Sequence, residues 1–457
     1  MSVDATATRA LAAPDWLRLP TDADALSPKL WPSTAHRGSS GEMWLGGVSL
    51  PDLAERFGTP AYLFDEADFQ ARCTAFRTAF HDFDVYYAGK SFMAKAVVRQ
   101  VAAAGLSLDV CSEGELAIAG AAGFPAERMV LHGNNKSDRE LDAVVEQGVG
   151  RVVVDSFDEI ARLTVLARAR GARPAVLIRV TVGIRSDAHD HNATAHEDQK
   201  FGFSLSSGAA AAAVRQVLDE GVLELRGLHS HIGSQILDPT GFEIATRRAI
   251  GLLADINGRH GVLLPELSIG GGFGIAYTEV DEPANPVELA DRIRAAAVAE
   301  SRVLGINLPR LAIEPGRAVV GQSGCTLYRV GTVKQLDGIR TYVSVDGGMT
   351  DNVRPALFGA NYSVALANRT SDAKPTLVRV VGKHCDAGDV VVRDAYLPTD
   401  VRPGDLLVLP ATGAYCRSLS SNFNSTPRPP VVGVRDGKAR EIIRRETVAD
   451  LLGLDVG

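Results

Sequence analysis

"DVYYAGKSF", residues 84–92, joins a short apolar run directly to a lysine. Seven more apolar runs come after it: "LSLDV" (106–110), "MVLH" (129–132), "RVVV" (151–154), "PAVLIRV" (174–180), "LELRGLHSH" (223–231), "LSI" (267–269) and "RLAIE" (310–314). Runs of this length and composition read as strands. Between them lie stretches such as "ELDAVVEQG" and "GAAAAAVRQVLDEG", which read as amphipathic helices. Eight strands alternating with helices predict a (β/α)8, TIM-type barrel. A doubly wound open sheet shares the alternation, but the count of eight favours the barrel.

The pattern changes after about residue 320. "CTLYRVGTVKQL", "RTYVSVDGG", "LVRVVGKH", "DVVVRDAYL" and "DLLVLPA" are β-rich, separated by Gly, Pro and Asp, with little helix between them. They predict a second, mostly antiparallel β domain. "AYLFD" (61–65) is a ninth run outside the barrel count and is expected to pair with that C-terminal sheet. The expected division is an irregular N-terminus and joining strand over 1–65, a barrel over 66–320, and a β domain over 321–457. Two domains also suit a chain of 457 residues.

Hydrophobic content of 46% and charge content of 23% are those of a globular protein. A net charge of −7 argues against a nucleic-acid or anionic-membrane partner. The chain carries no apolar run long enough for a bilayer and no secretory signal pattern at its start, so a cytoplasmic protein is expected. Cys73, Cys111, Cys325, Cys385 and Cys416 are scattered and form no C-x-x-C, which disfavours a disulfide framework or a Cys-rich zinc site. The N-x-S/T matches at Asn192, Asn361, Asn368 and Asn424 read as chance in such a chain.

Each barrel run ends on a polar or glycine signature: Lys90, Asp109, His132, Asp155, Arg179, His231, Gly270–Gly272 and Glu314. In a barrel these ends share the face that carries chemistry. Lys90, sheltered by apolar neighbours, has the setting of a Schiff-base lysine; a solvated loop lysine is the plain alternative. "SIGGGFG" fails the G-x-G-x-x-G dinucleotide pattern, because the sixth position from Gly270 is Ile275, yet its backbone N–H groups can cradle a phosphate. "EPGR" sets Glu314 near Arg317, a cation suited to the same phosphate. His229 and His231 have a metal-ligand spacing, but no third ligand stands out; stacking of an imidazole on a planar cofactor makes fewer demands, and no metal is expected. Lysine, phosphate cradle, stacking histidine and carboxylate together describe a site for pyridoxal 5'-phosphate.

The motifs "YAGKSF", "LDVCSEGEL", "HGNNKS", "HEDQKFG", "HSHIGSQ", "GGGFGIAY", "EPGRA", "DGGMTDNVRPALFGA", "GKHCDAGD" and "ATGAYCRS" extend this reading. In combination they resemble the diaminopimelate decarboxylases, within the alanine-racemase-like pyridoxal phosphate enzymes that include ornithine decarboxylase. The resemblance runs from about residue 45 to the end of the chain. It implies that Lys90 is the Schiff-base lysine, that His231 stacks on the ring, and that Glu314 partners the pyridine nitrogen. Ser234, Gly270, Gly271, Gly272 and Arg317 become phosphate ligands, with Tyr415 closing over the cofactor and Asp109, Glu115 and Arg179 in support. Arg354 takes a substrate carboxylate, and Cys385 is the proton donor; Arg317, Phe358, Asp386 and Tyr415 join Arg354 around the substrate. The implied reaction converts meso-2,6-diaminopimelate to L-lysine and CO2. The implied assembly is a homodimer whose active sites are shared across the interface.

Three departures from the family pattern surround the substrate. R-x-A-L-Y-G has Phe358 in place of the tyrosine, and "HCESGD" has become "HCDAGD", putting Asp386 where a glutamate is usual. The loop "GIRSDAHDHNATAHEDQKFG" also differs, with Arg185 where relatives tend to carry Glu, and with His191 and Asn192 where they tend to be apolar. A relative acting on a different or modified diamino acid is therefore the alternative. A silent cofactor carrier is disfavoured because Cys385 is present, and a racemase because the Cys385 loop speaks for decarboxylation.

Overall fold

All eight barrel runs form strands, β1 (Asp84–Ala88), β2 (Ser107–Val110), β3 (Met129–Leu131), β4 (Arg151–Val154), β5 (Ala175–Thr181), β6 (Glu224–His229), β7 (Glu266–Ser268) and β8 (Arg310–Ile313). The computed structural model describes residues 13–183 and 199–457; the loop positions Arg185, His191 and Asn192 lie outside the described residues. The eight strands are parallel and pair in chain order, and β8 closes on β1 through Ala312↔Asp84 and Ile313↔Val85. The short strand Phe203–Ser204 adds to β5 outside the ring. Closure excludes the doubly wound alternative. Strands buried on both faces explain why their sequences are nearly continuous apolar runs.

Three successive strand-to-helix turns use the same local chemistry. Ser112, Ser137 and Ser156 cap the helices Glu113–Ala122, Asp138–Gln147 and Phe157–Arg170, each accepting from the backbone N–H of a glutamate three residues on. Left-handed glycines at 123, 148 and 171 end those helices. The polar strand ends therefore sit just ahead of pinned helix starts, so their backbone positions are well determined. At the opposite end of the barrel, Arg151 grips Glu266 with Nε–Oε2 at 2.8 Å and Nη2–Oε1 at 2.6 Å.

Among the described residues the chain divides into two compact units. One is Gln70–Ile275 with Glu282–Val319, which holds the barrel; the other gathers the residues up to Phe69, Ala276–Asp281 and Val320–Gly457. In the second unit, strand Ala61–Asp65 lies between Gly324–Leu336, antiparallel, and Val431–Arg435, parallel. The ninth run thus joins the C-terminal sheet as expected. Most pairings in this sheet are antiparallel; a second parallel one joins Arg340–Val345 to Pro375–Val381. Its core packs Leu45, Leu53, Leu63, Leu327, Val408 and Val432. The N-terminal stretch expected to be irregular carries a small three-stranded antiparallel sheet at His36–Arg37, Met43–Leu45 and Val48–Ser49. Among the described residues, no helix is long and apolar enough to cross a membrane.

Candidate active site

Lys90 occupies a 3-10 turn, Gly89–Ser91, immediately after β1. It is exposed between buried Gly89 and Ser91, so the sheltered setting expected from its apolar neighbours is not present. Strand pairing ends at Ala88, and the turn carries the lysine beyond the packed part of the strand. The Lys90 charge acts on Asp109, Glu115 and His231, which gather around the same end of the barrel.

Glu314, just past β8, is buried and held on both carboxylate oxygens. Ser268 Oγ donates to Oε1 at 2.8 Å, and His229 Nε2 stands 3.1 Å from Oε2. His132 Nε2 lies 3.3 Å from Oε1 and 3.8 Å from Asp109 Oδ1. Burial by itself would raise the Glu314 pKa, but the two imidazoles more than offset it and hold the carboxyl well below its usual range. Burial pushes His229 down to about 4, so near neutrality it is an uncharged ring. Its pairing then assigns the proton to Nε2, leaving the buried Nδ1 without a protein partner. Asp109 is shifted up, chiefly by burial.

His132, His229 and Glu314 bring potential ligand atoms within 4.8 Å of one another, a set that leaves out His231 and so differs from the His229/His231 pair read in the sequence. The interacting atoms face one carboxylate, which accounts for the cluster without an ion. Sequence reading missed it because His132, His229 and Glu314 come from three separate strand ends, and Ser268 from a fourth.

His231 follows β6 in a loop and its Nδ1 accepts from Gly271 N at 3.2 Å. Burial, followed by the Lys90 charge, holds this ring well below its ordinary pKa. A neutral imidazole is suited to stacking on an aromatic face. Arg317 Nη2 donates to Ser234 Oγ at 2.8 Å, placing a buried cation beside a hydroxyl. Gly272 adopts φ +113°, and a Cβ there would stand 2.3 Å from Gly233 O. Only glycine fits such an approach. Gln235 holds this loop from below, with Nε2 donating to Ile275 O at 2.6 Å and Oε1 accepting from Ile275 N at 3.2 Å.

The supporting residues have local partners. Glu115 Oε2 accepts from Cys111 N at 2.7 Å. Arg179 Nε is 3.7 Å from Asp155 Oδ1, and its Cζ sits 4.4 Å over the Phe201 ring. Behind them Lys136 Nζ is buried and donates to Gly133 O, Val153 O and Glu159 Oε1, each at 2.7 Å.

Arg354, Phe358, Cys385, Asp386 and Tyr415 belong to the other unit. Arg354 is buried and its Nε donates to Tyr362 Oη at 2.8 Å. Phe358 places its ring 5.8 Å from the Arg354 Cζ. Cys385 is exposed, while His384 beside it is buried between Thr350 Oγ1 at 2.8 Å and Asn424 Oδ1 at 3.2 Å. Asp389 braces the same loop, accepting from His384 N at 2.8 Å and Met349 N at 2.6 Å. Asp386 Oδ1 accepts from Gly388 N at 2.7 Å. Tyr415 holds φ +60°, a strained value for a residue with a side chain.

Within the barrel unit, the residues present fit pyridoxal 5'-phosphate. A lysine, a charged carboxylate, a neutral imidazole, a side-chain-free glycine loop and an Arg–Ser anion pocket all lie along one end of the barrel.

Comparison with known proteins agrees. The family model for the pyridoxal binding domain of pyridoxal-dependent decarboxylases matches residues 66–321. The chain is 50% identical over 440 residues to the diaminopimelate decarboxylase of Mycobacterium tuberculosis, covering 94% of this chain and 98% of that protein. It is 44% identical over 427 residues to the Bacillus subtilis enzyme of the same name, covering 93% and 97%. The solved structure of the M. jannaschii diaminopimelate decarboxylase in complex with L-lysine superposes with a TM-score of 0.88 at 29% identity, covering 94% of this chain and 99% of that one. The chain belongs to the pyridoxal-dependent decarboxylases and, within them, to the diaminopimelate decarboxylase family.

Proposed function

We propose that this protein decarboxylates meso-2,6-diaminopimelate at its D-centre, releasing CO2 and leaving L-lysine. The observation that carries the reading is identity of 50%, spanning nearly both full lengths, with an enzyme of that name. The L-lysine bound in the M. jannaschii relative fits the product end of the same reaction.

Pyridoxal 5'-phosphate supplies the electron sink for the pair left behind when CO2 departs. Lys90 would hold it, with Ser234, the backbone of Gly270–Gly272 and Arg317 around its phosphate. His231 would lie against its ring, and Glu314, kept ionised by His132 and His229, would be the partner of its pyridine nitrogen. Asp109, Glu115 and Arg179 would support this set, and Tyr415 would close over it. Arg317, Arg354, Phe358, Asp386 and Tyr415 contact substrate, with Arg354 taking the distal carboxylate. The Cys385 thiol returns a proton to Cα after the C–C bond breaks.

In this reading the enzyme works as a cytoplasmic homodimer, with the Cys385 loop of one protomer completing its partner's site. Residues 66–320 form the cofactor domain and 321–457, with the 61–65 strand, the domain that carries Cys385.

Phe358 and Asp386 favour a second reading, decarboxylation of a different or modified diamino acid. The deciding experiment offers the purified holoenzyme a panel of diamino acids and follows CO2. Turnover of diaminopimelate far below that of another substrate overturns the first reading. Lys90→Ala is expected to abolish borohydride trapping of the cofactor and to cut turnover by roughly 10²-fold or more; a variant that keeps both removes Lys90 from its role.

A further inference from the structure

The setting of Arg354 goes further than its role as a carboxylate ligand. It opens the short helix Arg354–Phe358, and its Nε–H donates to the Tyr362 hydroxyl at 2.8 Å. Its Cζ stands 5.3 Å over the Tyr277 ring and 5.8 Å over the Phe358 ring. Tyr362 is only 1% exposed and meets Tyr277 edge-on, with ring centroids 5.0 Å apart. Its hydroxyl also lies 3.7 Å from Cys416 Sγ. A guanidinium is a planar fork, so engaging Nε and flanking the plane with aromatic rings sets the direction in which the two Nη groups point.

We propose that Tyr362 is the positioning residue that aims Arg354, and that through it the protein selects amino acids bearing a second, distal carboxylate. This rests on the reading of Arg354 as the ligand of that carboxylate. It also gives Phe358 a part without its missing hydroxyl: the ring still flanks the guanidinium, while the aiming hydrogen bond comes from Tyr362.

The test uses the holoenzyme with meso-diaminopimelate and with D-lysine, which keeps the reacting centre but lacks the distal carboxylate. Tyr362→Phe retains the packed ring and removes the acceptor. Its KM for diaminopimelate is expected to rise about 10-fold or more, with kcat and the KM for D-lysine essentially unchanged. Binding of L-lysine, which keeps the distal carboxylate, should weaken by a similar factor in calorimetry. Arg354→Lys, which has no Nε, should show the same signature with Tyr362 intact, and adding Tyr362→Phe to it should change little further. A wild-type KM in Tyr362→Phe, or equal losses on diaminopimelate and D-lysine, overturns the inference, as does a full additive effect in the Arg354→Lys background. Wild-type enzyme that ignores diaminopimelate brings down the proposed function and this selectivity with it. Wild-type turnover with an unaltered Tyr362→Phe brings down only the Tyr362 inference.

Discussion

His229 Nε2 stands 3.1 Å from Glu314 Oε2, a neutral ring beside an ionised carboxylate: burial keeps the ring uncharged against the pull of Glu314, while contacts with His132 and His229 keep the carboxyl ionised. Both are buried and both resist protonation, so acid acts on them in the same direction. The unfolded His229 takes up a proton near pH 6.5, whereas the folded one refuses it until about 4. The stabilisation is present in full above the unfolded value and is lost as pH falls toward the folded one. Glu314 contributes above the ordinary carboxylate pKa and loses its contribution at still lower pH, as pH drops through its depressed value.

The apo-protein should therefore lose stability steadily between pH 7 and 4.5. His229→Gln should lower stability at pH 7 but make that decline shallower by about 2 kcal/mol. Urea unfolding at the two pH values measures this directly; parallel declines for variant and wild type would contradict it.

Removing Arg317 takes a buried cation from the Ser234 pocket. Arg317→Ala should raise the dissociation constant of pyridoxal 5'-phosphate by roughly 10- to 100-fold, the usual scale for losing a hydrogen bond to a charged group. Equilibrium dialysis of the cofactor reads it out. Unchanged affinity would remove Arg317 from the phosphate site.

Lys136 makes three hydrogen bonds of 2.7 Å inside the barrel wall, one of them to Glu159. Lys136→Ala leaves that carboxylate buried without its counter-charge and should cost about 3–5 kcal/mol in denaturant unfolding. Adding Glu159→Gln should recover part of the loss, because the stranded charge is then gone. A cost within error of zero for the single variant would contradict the account.

Phe358→Tyr combined with Asp386→Glu restores the tyrosine and glutamate of the family pattern. The pair should lower the KM for diaminopimelate by roughly 10-fold if each position contacts a charged part of the substrate. Steady-state kinetics on the double variant decide it, and an unmoved KM clears both positions of a specificity role.

Much of the fold was legible because strand burial leaves a local signature. Continuous apolar runs such as "RVVV" and "AVLIRV" mark parallel strands, a pattern that depends only on neighbours in sequence. The glycines of "SIGGGFG" stood out in the sequence for their bare backbone, and at Gly272 the structure adds that a Cβ would collide with Gly233 O. The environment of Lys90 was misjudged, because exposure depends on where a turn sits at the strand's end rather than on its apolar neighbours.

The sequence by itself determined the barrel and the β-rich partner, and it marked Lys90, Gly270–Gly272, Glu314 and Cys385 as candidates, since each is carried by a run or motif of contiguous residues. Only the tertiary structure decided which groups act on one another. Residues 132, 229, 268 and 314 come from four strand ends, and Tyr277 lies far in the chain from Arg354 and Tyr362. The charge state of Glu314 and the surroundings of Arg354 follow from distances of 3 to 6 Å across such separations, and closing the chain on itself is what creates them.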